Sequence, residues 1–197
     1  MKLTTTEKRK NKIISVLSSR QKSLTIVLEN IHDPHNVSAI FRTCDAVGVS
    51  KVLLLYYIEK FPKIGKKSSA SAFKWVEKEK YKNVQECCEA LRKEGFLIYV
   101  SSLEDDSVPF YELDFTDKVA IVLGNEHRGV SKEITELADK KFLIPMRGMV
   151  QSLNVSVAAA VILYEAQRQR NLKGMYPSKE ITESELKANI ERWCKKW

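Results

Sequence analysis

Five short runs in this chain are apolar almost without interruption: 24–29 (LTIVLE), 51–57 (KVLLLYY), 96–101 (FLIYVS), 119–123 (VAIVL) and 141–146 (KFLIPM). A strand with one wet face alternates polar and apolar residues, whereas a strand buried on both faces does not. Between the runs lie segments with helical spacing of apolar residues, first Val37, Ile40, Phe41, Cys44 and Val47, then Val84, Cys87, Cys88 and Leu91, then Ile134, Leu137 and Ala138. Strands that need cover on both faces, alternating with helices that can supply it, describe an α/β fold around a parallel sheet. Pro34 disfavours helix in the residue before it, so the first core helix is expected over 36–47, with Gly48 as its stop. Ser131 is placed to cap the third of these helices, with Glu133 near its positive end. A chain of 197 residues suffices for one core.

Shorter helical segments flank that core. Residues 6–20 carry Ile13, Ile14 and Leu17 at helical spacing, and Thr182 with Glu185 form a capping-box pattern ahead of Leu186, Ile190, Trp193 and Trp197. The apolar face of the latter needs a partner. Residues 104–117 read as a variable connection, and 60–82 as a long functional loop with a short element around 73–76.

Net charge is +8, with a pI near 9.2, which favours a polyanionic partner. The distribution sharpens this. Residues 1–22 hold seven Lys or Arg against Glu7 alone, and 60–82 hold eight lysines against Glu77 and Glu79, interleaved with Phe61, Phe73, Trp75 and Tyr81. Both clusters lie outside the apolar strand segments, where phosphate contacts are useful. Cys44, Cys87, Cys88 and Cys194 show no paired metal-ligand spacing, three of them fall on apolar helix faces, and the three histidines form no ligand array; reduced, buried thiols and no metal are expected. No apolar run approaches the roughly 18 residues of a membrane span, and the basic N-terminus lacks a signal-peptide core, so a cytoplasmic protein without a membrane partner is expected.

The least ordinary segment is 144–165. A Gly-centred loop leads to Asn154, an apt N-cap, and then to a helix rich in small residues, expected inside the protein. Two other segments also follow apolar runs, Asn36-Val37-Ser38-Ala39-Ile40-Phe41-Arg42 and Leu123-Gly124-Asn125-Glu126-His127-Arg128-Gly129. In open parallel sheets, ligands collect beyond the carboxyl ends of the strands, where all three segments would lie. The first run is not followed by the Gly-rich phosphate loop of a dinucleotide fold. Gly124 and Gly148 would let backbone approach a ligand closely.

Together the three segments resemble the three motifs of the SpoU branch of the knotted RNA 2′-O-ribose methyltransferases. Motif spacing and both terminal extensions are most similar to the branch acting on the D-loop guanosine at position 18 of tRNA. The resemblance implies a SPOUT fold with a C-terminal deep trefoil knot, divided into a basic helical extension (1–22), the methyltransferase domain (23–170) and a C-terminal helical extension (171–197). It implies S-adenosyl-L-methionine as cofactor, held around Leu123, Gly124, Ile144, Met146, Ser152 and Leu153. It assigns activation of the ribose hydroxyl to Arg42, through a substrate phosphate that relays the proton or through stabilisation of the developing alkoxide, since an arginine is a poor resting base.

Asn36, Glu126, Ser152 and Asn154 match further functional positions, expected to orient Arg42 and the substrate. Each has a plainer reading: Asn36 and Asn154 as helix caps, Glu126 as a brace for Arg42 or Arg128, Ser152 as a turn residue. Arg9, Lys12, Arg20, Arg168 and Arg170 are the candidates for phosphate contacts with tRNA, the last two because they end the third motif's helix. The family also implies a homodimer, pairing through the Trp193 face or the small-residue helix. Alternatives are a methyltransferase of ribosomal RNA or of the tRNA wobble nucleotide, and a non-catalytic RNA-binding protein; joint retention of the five motif residues disfavours the last. The sequence gives His127 no role.

Overall fold

The structure, a computed structural model, describes residues 6–64, 72–178 and 180–195. Its elements in chain order are α1 (Glu7–Ser18), β1 (Gln21–Glu29), α2 (Pro34–Val47), β2 (Val49–Leu55), α3 (Ala72–Trp75), β3 (Glu77–Tyr81), α4 (Val84–Lys93), β4 (Leu97–Ser101), β5 (Val108–Pro109), β6 (Val119–Leu123), α5 (Lys132–Glu136), β7 (Lys140–Leu143), α6 (Val155–Leu172) and α7 (Glu183–Cys194). The seven strands form one sheet in the order β3-β2-β1-β6-β4-β7-β5, and every pairing is parallel.

The period-two geometry of each strand sorts its apolar residues to two faces. Ile26, Leu28, Val52, Leu54, Ile121 and Leu123 point to the side covered by α2 and α6, where Phe41, Cys44, Ile162 and Leu163 meet them. Val27, Leu53, Leu55, Ala120 and Val122 point to the other side, under Val84, Cys87, Leu91 and Ile134 of α4 and α5. Burial in these layers pushes the thiols of Cys44 and Cys87 up to about 12 and that of Cys88 to about 11, so all three stay protonated. Among the described residues, no helix is long and apolar enough to cross a membrane.

Several expectations require correction. Helix α2 begins two residues earlier than expected: Pro34 occupies its first turn, where a missing N–H costs nothing, and Asp33 is the cap. The segment after β2 is not wholly loop, since Glu77–Tyr81 pairs with Lys51–Leu55 as an edge strand. Phe61 and Phe73 pack on the core under Lys80 and Lys78, whose ammonium groups lie 5.9 and 4.0 Å from the ring centres. These aromatics are therefore covered by their own lysines rather than presented to a partner. Residues 108–112 of the expected connection form β5 and a 3₁₀ turn. Helix α6 buries only one stripe, Ala159, Ile162, Leu163, Ala166 and Arg170, and leaves Val157 and Tyr164 about half exposed.

The capping box of α7 is present, and its apolar face finds a partner inside the chain: Trp193, Leu186 and Ile190 close on Ile13 and Leu17 of α1. Trp193 is thereby removed from the surfaces available to a second copy. Trp197, Lys2, Lys66 and Lys67 lie outside the described residues. The α1–α7 pair sits at the amino end of the sheet, where Arg20 donates to the Val49 carbonyl at 2.8 Å and Ser178 N–H to that of Ser18 at 2.7 Å.

Candidate functional site

At the opposite, carboxyl end of the sheet a cleft of about 770 Å³ opens between the loops that follow β4, β6 and β7. That volume is within the roughly 300–1,000 Å³ of small-molecule sites. Leu123, Leu143, Ile144, Met146, Leu153 and Val155 supply apolar wall, and Ser101, Ser102, Asn125, Glu126 and Ser152 supply polar rim. All six residues expected around a cofactor line this one cleft. Apolar walls with a polar rim suit an adenosine, so the residues present fit such a group.

The loop after β6 is shaped by two glycines and one asparagine. A Cβ on Gly124 would stand 2.2 Å from the Gly129 carbonyl, so only glycine lets the loop close on itself there. Gly129 takes φ +68°, and its N–H returns to the Asn125 carbonyl at 2.9 Å. Asn125, which the sequence reading passed over, is buried; its Oδ1 accepts from the N–H groups of His127 and Arg128, and its Nδ2 donates 2.8 Å to the Asn30 carbonyl. Gly148 has open space where a Cβ would stand.

The closed loop points Glu126 at the start of α2. Its carboxylate accepts from His32 N–H at 3.2 Å, Asp33 N–H at 3.4 Å and Asn36 Nδ2 at 2.8 Å. Burial by itself would raise its pKa; the bonds from Asn36 and from backbone N–H groups outweigh burial and hold it below the ordinary value. A carboxylate at a helix N-terminus also meets the positive end of the helix dipole. Asn36 passes the connection on, because its Oδ1 accepts from Asn154 Nδ2 at 3.1 Å, while Asn154 caps α6 through Ser156 N–H. Glu126, Asn36 and Asn154, one from each motif, thus form a single hydrogen-bonded chain, and α2 and α6 start side by side at the cleft. Asn36 is not the cap of its helix.

Ser152 lines the cleft and is exposed, as are His127 and Arg128. Arg42 is exposed on α2 and is not among the lining residues. It stands six residues past Asn36, about 9 Å along the helix axis.

The phosphate candidates divide. Arg170 is wholly buried, donating to the carbonyls of Phe115, Ser23 and Asp117 and to the side chains of Gln21 and Ser23, at 2.7–3.1 Å. Arg20 is 5% exposed and pairs with Asp45. Neither can reach a phosphate: both are internal struts, and the two expectations are withdrawn. Helix α6 also runs away from the cleft, so exposed Arg168, fourteen residues past Asn154, is about 21 Å from it. Glu165 already binds Arg168 twice, at 2.7 and 2.8 Å. Lys12 is exposed on α1, and Arg9 is half-buried there.

Residues 23–164 match the SpoU rRNA Methylase family. A tRNA (guanosine(18)-2′-O)-methyltransferase of Aquifex aeolicus is 47% identical over 191 residues, which cover 95% of this chain and 89% of the relative. The crystal structure of the A. aeolicus TrmH/SpoU tRNA modifying enzyme has a TM-score of 0.90 and 45% identity, with 96% of each chain covered. The SpoU methyltransferase AviRb from Streptomyces viridochromogenes, in complex with AdoMet, has a TM-score of 0.68 and 27% identity over 77% of this chain and 62% of its own. With the family matched across most of its length, and its three motifs joined at one cleft, the chain belongs to the SpoU methylase family.

Proposed function

We propose that this chain is an S-adenosylmethionine-dependent tRNA (guanosine(18)-2′-O)-methyltransferase. The observation that carries this reading is the Glu126–Asn36–Asn154 chain, which ties all three motifs together beside a cleft of suitable size and lining. The identity with the Aquifex enzyme along nearly the whole chain supports the choice of tRNA.

Leu123, Gly124, Ile144, Met146, Ser152 and Leu153 would hold the adenosine part of the cofactor. When bound, the cofactor supplies a methyl group on a positively charged sulfur, open to displacement at carbon. The ribose 2′-hydroxyl is the nucleophile and must lose its proton. The guanidinium of Arg42 lowers the cost of the forming alkoxide, directly or by holding a substrate phosphate that takes the proton. Asn36 and Glu126 fix the start of the helix that carries Arg42, and Ser152 and Asn154 present donors to the sugar and its phosphate.

The fold reading extends to a knot. Residues 144–154 cross from β7, near one edge of the sheet, to reach α2 by way of the loop after β6, a path that supports threading of the C-terminal segment through an earlier loop. The chain then divides into a basic helical extension (1–22), the methyltransferase domain (23–170) and a C-terminal extension (171–197).

Lys12 and Arg9 lie at the amino end of the sheet, so they suit a folded RNA that extends well past the cleft, or one held across two copies. The half-exposed Val157 and Tyr164 on α6, with the more buried Val161 between them, support a homodimer, with the second copy as the stripe's cover. Action on tRNA suits a cytoplasmic protein. The test is transfer of labelled methyl from the cofactor to bulk tRNA and, separately, to ribosomal RNA: label in tRNA alone is expected, and label in ribosomal RNA alone overturns the substrate assignment.

A further inference from the structure

Two adjacent residues at the end of β1, Glu29 and Asn30, are buried and polar, and neither belongs to the three motifs. Each touches both loops that flank the strand. The Oδ1 of Asn30 accepts from three successive N–H groups, those of Tyr57, Ile58 and Glu59, at 3.1 Å each. Its carbonyl accepts from Asn125 Nδ2 in the loop after β6, at 2.8 Å. Glu29 repeats the pattern with other atoms: one carboxylate oxygen accepts from the Tyr57 hydroxyl at 2.6 Å, and the other from Ser131 N–H, just past the β6 loop, at 2.9 Å.

Asn30 achieves this in a left-handed conformation, φ +50°, the one such non-glycine residue among those described. Asparagine and aspartate tolerate that backbone best among side-chain-bearing residues, and a glycine there would lack the acceptor oxygen. Two consequences reach the cleft. Asn125 is fixed, and with it the neighbouring Glu126 that holds the start of α2. Glu59 is fixed at the end of the three-amide turn, where its carboxylate takes Arg128 at 2.8 Å and lies 3.6 Å from His32. Arg128 is a rim residue of the cleft.

Resting on the methyltransferase reading above, we infer that Glu29 and Asn30 are positioning residues for the reaction: they clasp the loops after β2 and β6 to one strand end, and so hold Glu126 and the Arg128 rim where the RNA is received. They touch neither cofactor nor substrate. The clasp ties residues 57–59 to the loop after β6, which makes substrate placement depend on residues outside the motifs.

The test compares N30G with N30D in the full chain. N30G keeps the backbone conformation and loses the oxygen; N30D keeps both. Amide hydrogen exchange of 57–59 is expected to rise at least about tenfold in N30G, the scale of losing two ordinary hydrogen bonds, and to stay near wild type in N30D, while 125–129 stays protected in both because the carbonyl that holds Asn125 is kept. KM for tRNA should rise in N30G at unchanged affinity for the cofactor and be restored in N30D. Glu59→Gln, on the surface, tests the arm to Arg128 without threatening the fold and should raise KM for RNA alone. Wild-type exchange at 57–59 in N30G overturns the clasp. Raised exchange with wild-type kinetics in N30G and E59Q overturns its positioning role. Absence of RNA methylation by the wild-type chain strikes the functional reading instead, and the exchange data still decide whether the clasp exists.

Discussion

The side-chain amide of Asn154 donates to the carboxamide oxygen of Asn36 at 3.1 Å, across 118 residues of chain. Because Asn36 also holds Glu126, this bond closes a chain of three side chains that fixes where α2 and α6 begin. The placement of Arg42 follows from it, since Arg42 rides on α2.

Arg42→Ala should therefore remove transition-state stabilisation and nothing else. We expect a loss of about 10²–10³-fold in kcat, the usual scale for removing one charge-stabilising donor, with calorimetric affinity for S-adenosylmethionine unchanged. Single-turnover rates at saturating tRNA report the chemical step, and a wild-type rate there would remove Arg42 from the mechanism.

Glu126 gives a pH signature. Its folded-state pKa lies below the ordinary value because of the bonds from Asn36 and backbone N–H groups. A depressed carboxylate contributes stability above its unfolded pKa of about 4.3 and loses it as pH falls through the lower folded value. The Glu126→Gln variant should lose less stability than wild type between about pH 5 and pH 3. Denaturant melts across that window check this; parallel curves would contradict it.

Arg170 and the α1 charges separate two roles that their sequence positions do not distinguish. Arg170→Met leaves several buried acceptors unpaired and should lower stability by about 3 kcal/mol or more, with no change in the salt slope of RNA binding. Neutralising Lys8, Arg9, Lys10 and Lys12 together should weaken tRNA binding and flatten its dependence on salt, because fewer counterions are released. Equal salt slopes for this variant and wild type would remove α1 from the RNA interface.

The proposed dimer is tested at Tyr164. A glutamate there places a charge in the centre of the α6 stripe, and sedimentation velocity should show the variant as a monomer while the wild type is a dimer. Monomeric wild-type protein would exclude this interface.

The parallel sheet was legible because its strands are buried on both faces and so carry unbroken apolar runs. The cleft residues were named by the resemblance of the three motifs, and they meet because each motif follows a strand at the carboxyl end of a parallel sheet. Edge strand β3 was not legible, because Glu77–Tyr81 is solvent-facing and charged and shows none of the apolar signal of a central strand. Pro34 keeps Asp33 out of helix, as expected, but itself occupies the first turn, where proline suits a helix, so the expected start at 36 is two residues late. Arg20 and Arg170 were misplaced for a deeper reason, since an arginine bound by carbonyls of distant strands looks in sequence like any surface arginine. Asn30 left only a faint mark, a polar residue immediately after a buried strand, and its three amide partners come from 27–29 residues further on.

The claim that the joined motifs aim a methyl group at one sugar oxygen is tested most directly with a single tRNA transcript, intact or carrying dG18 in place of the guanosine. With labelled S-adenosylmethionine, the account predicts stoichiometric label on the intact transcript, mapped to the 2′-oxygen at position 18, and none on the dG18 transcript. Equal label on both would contradict it.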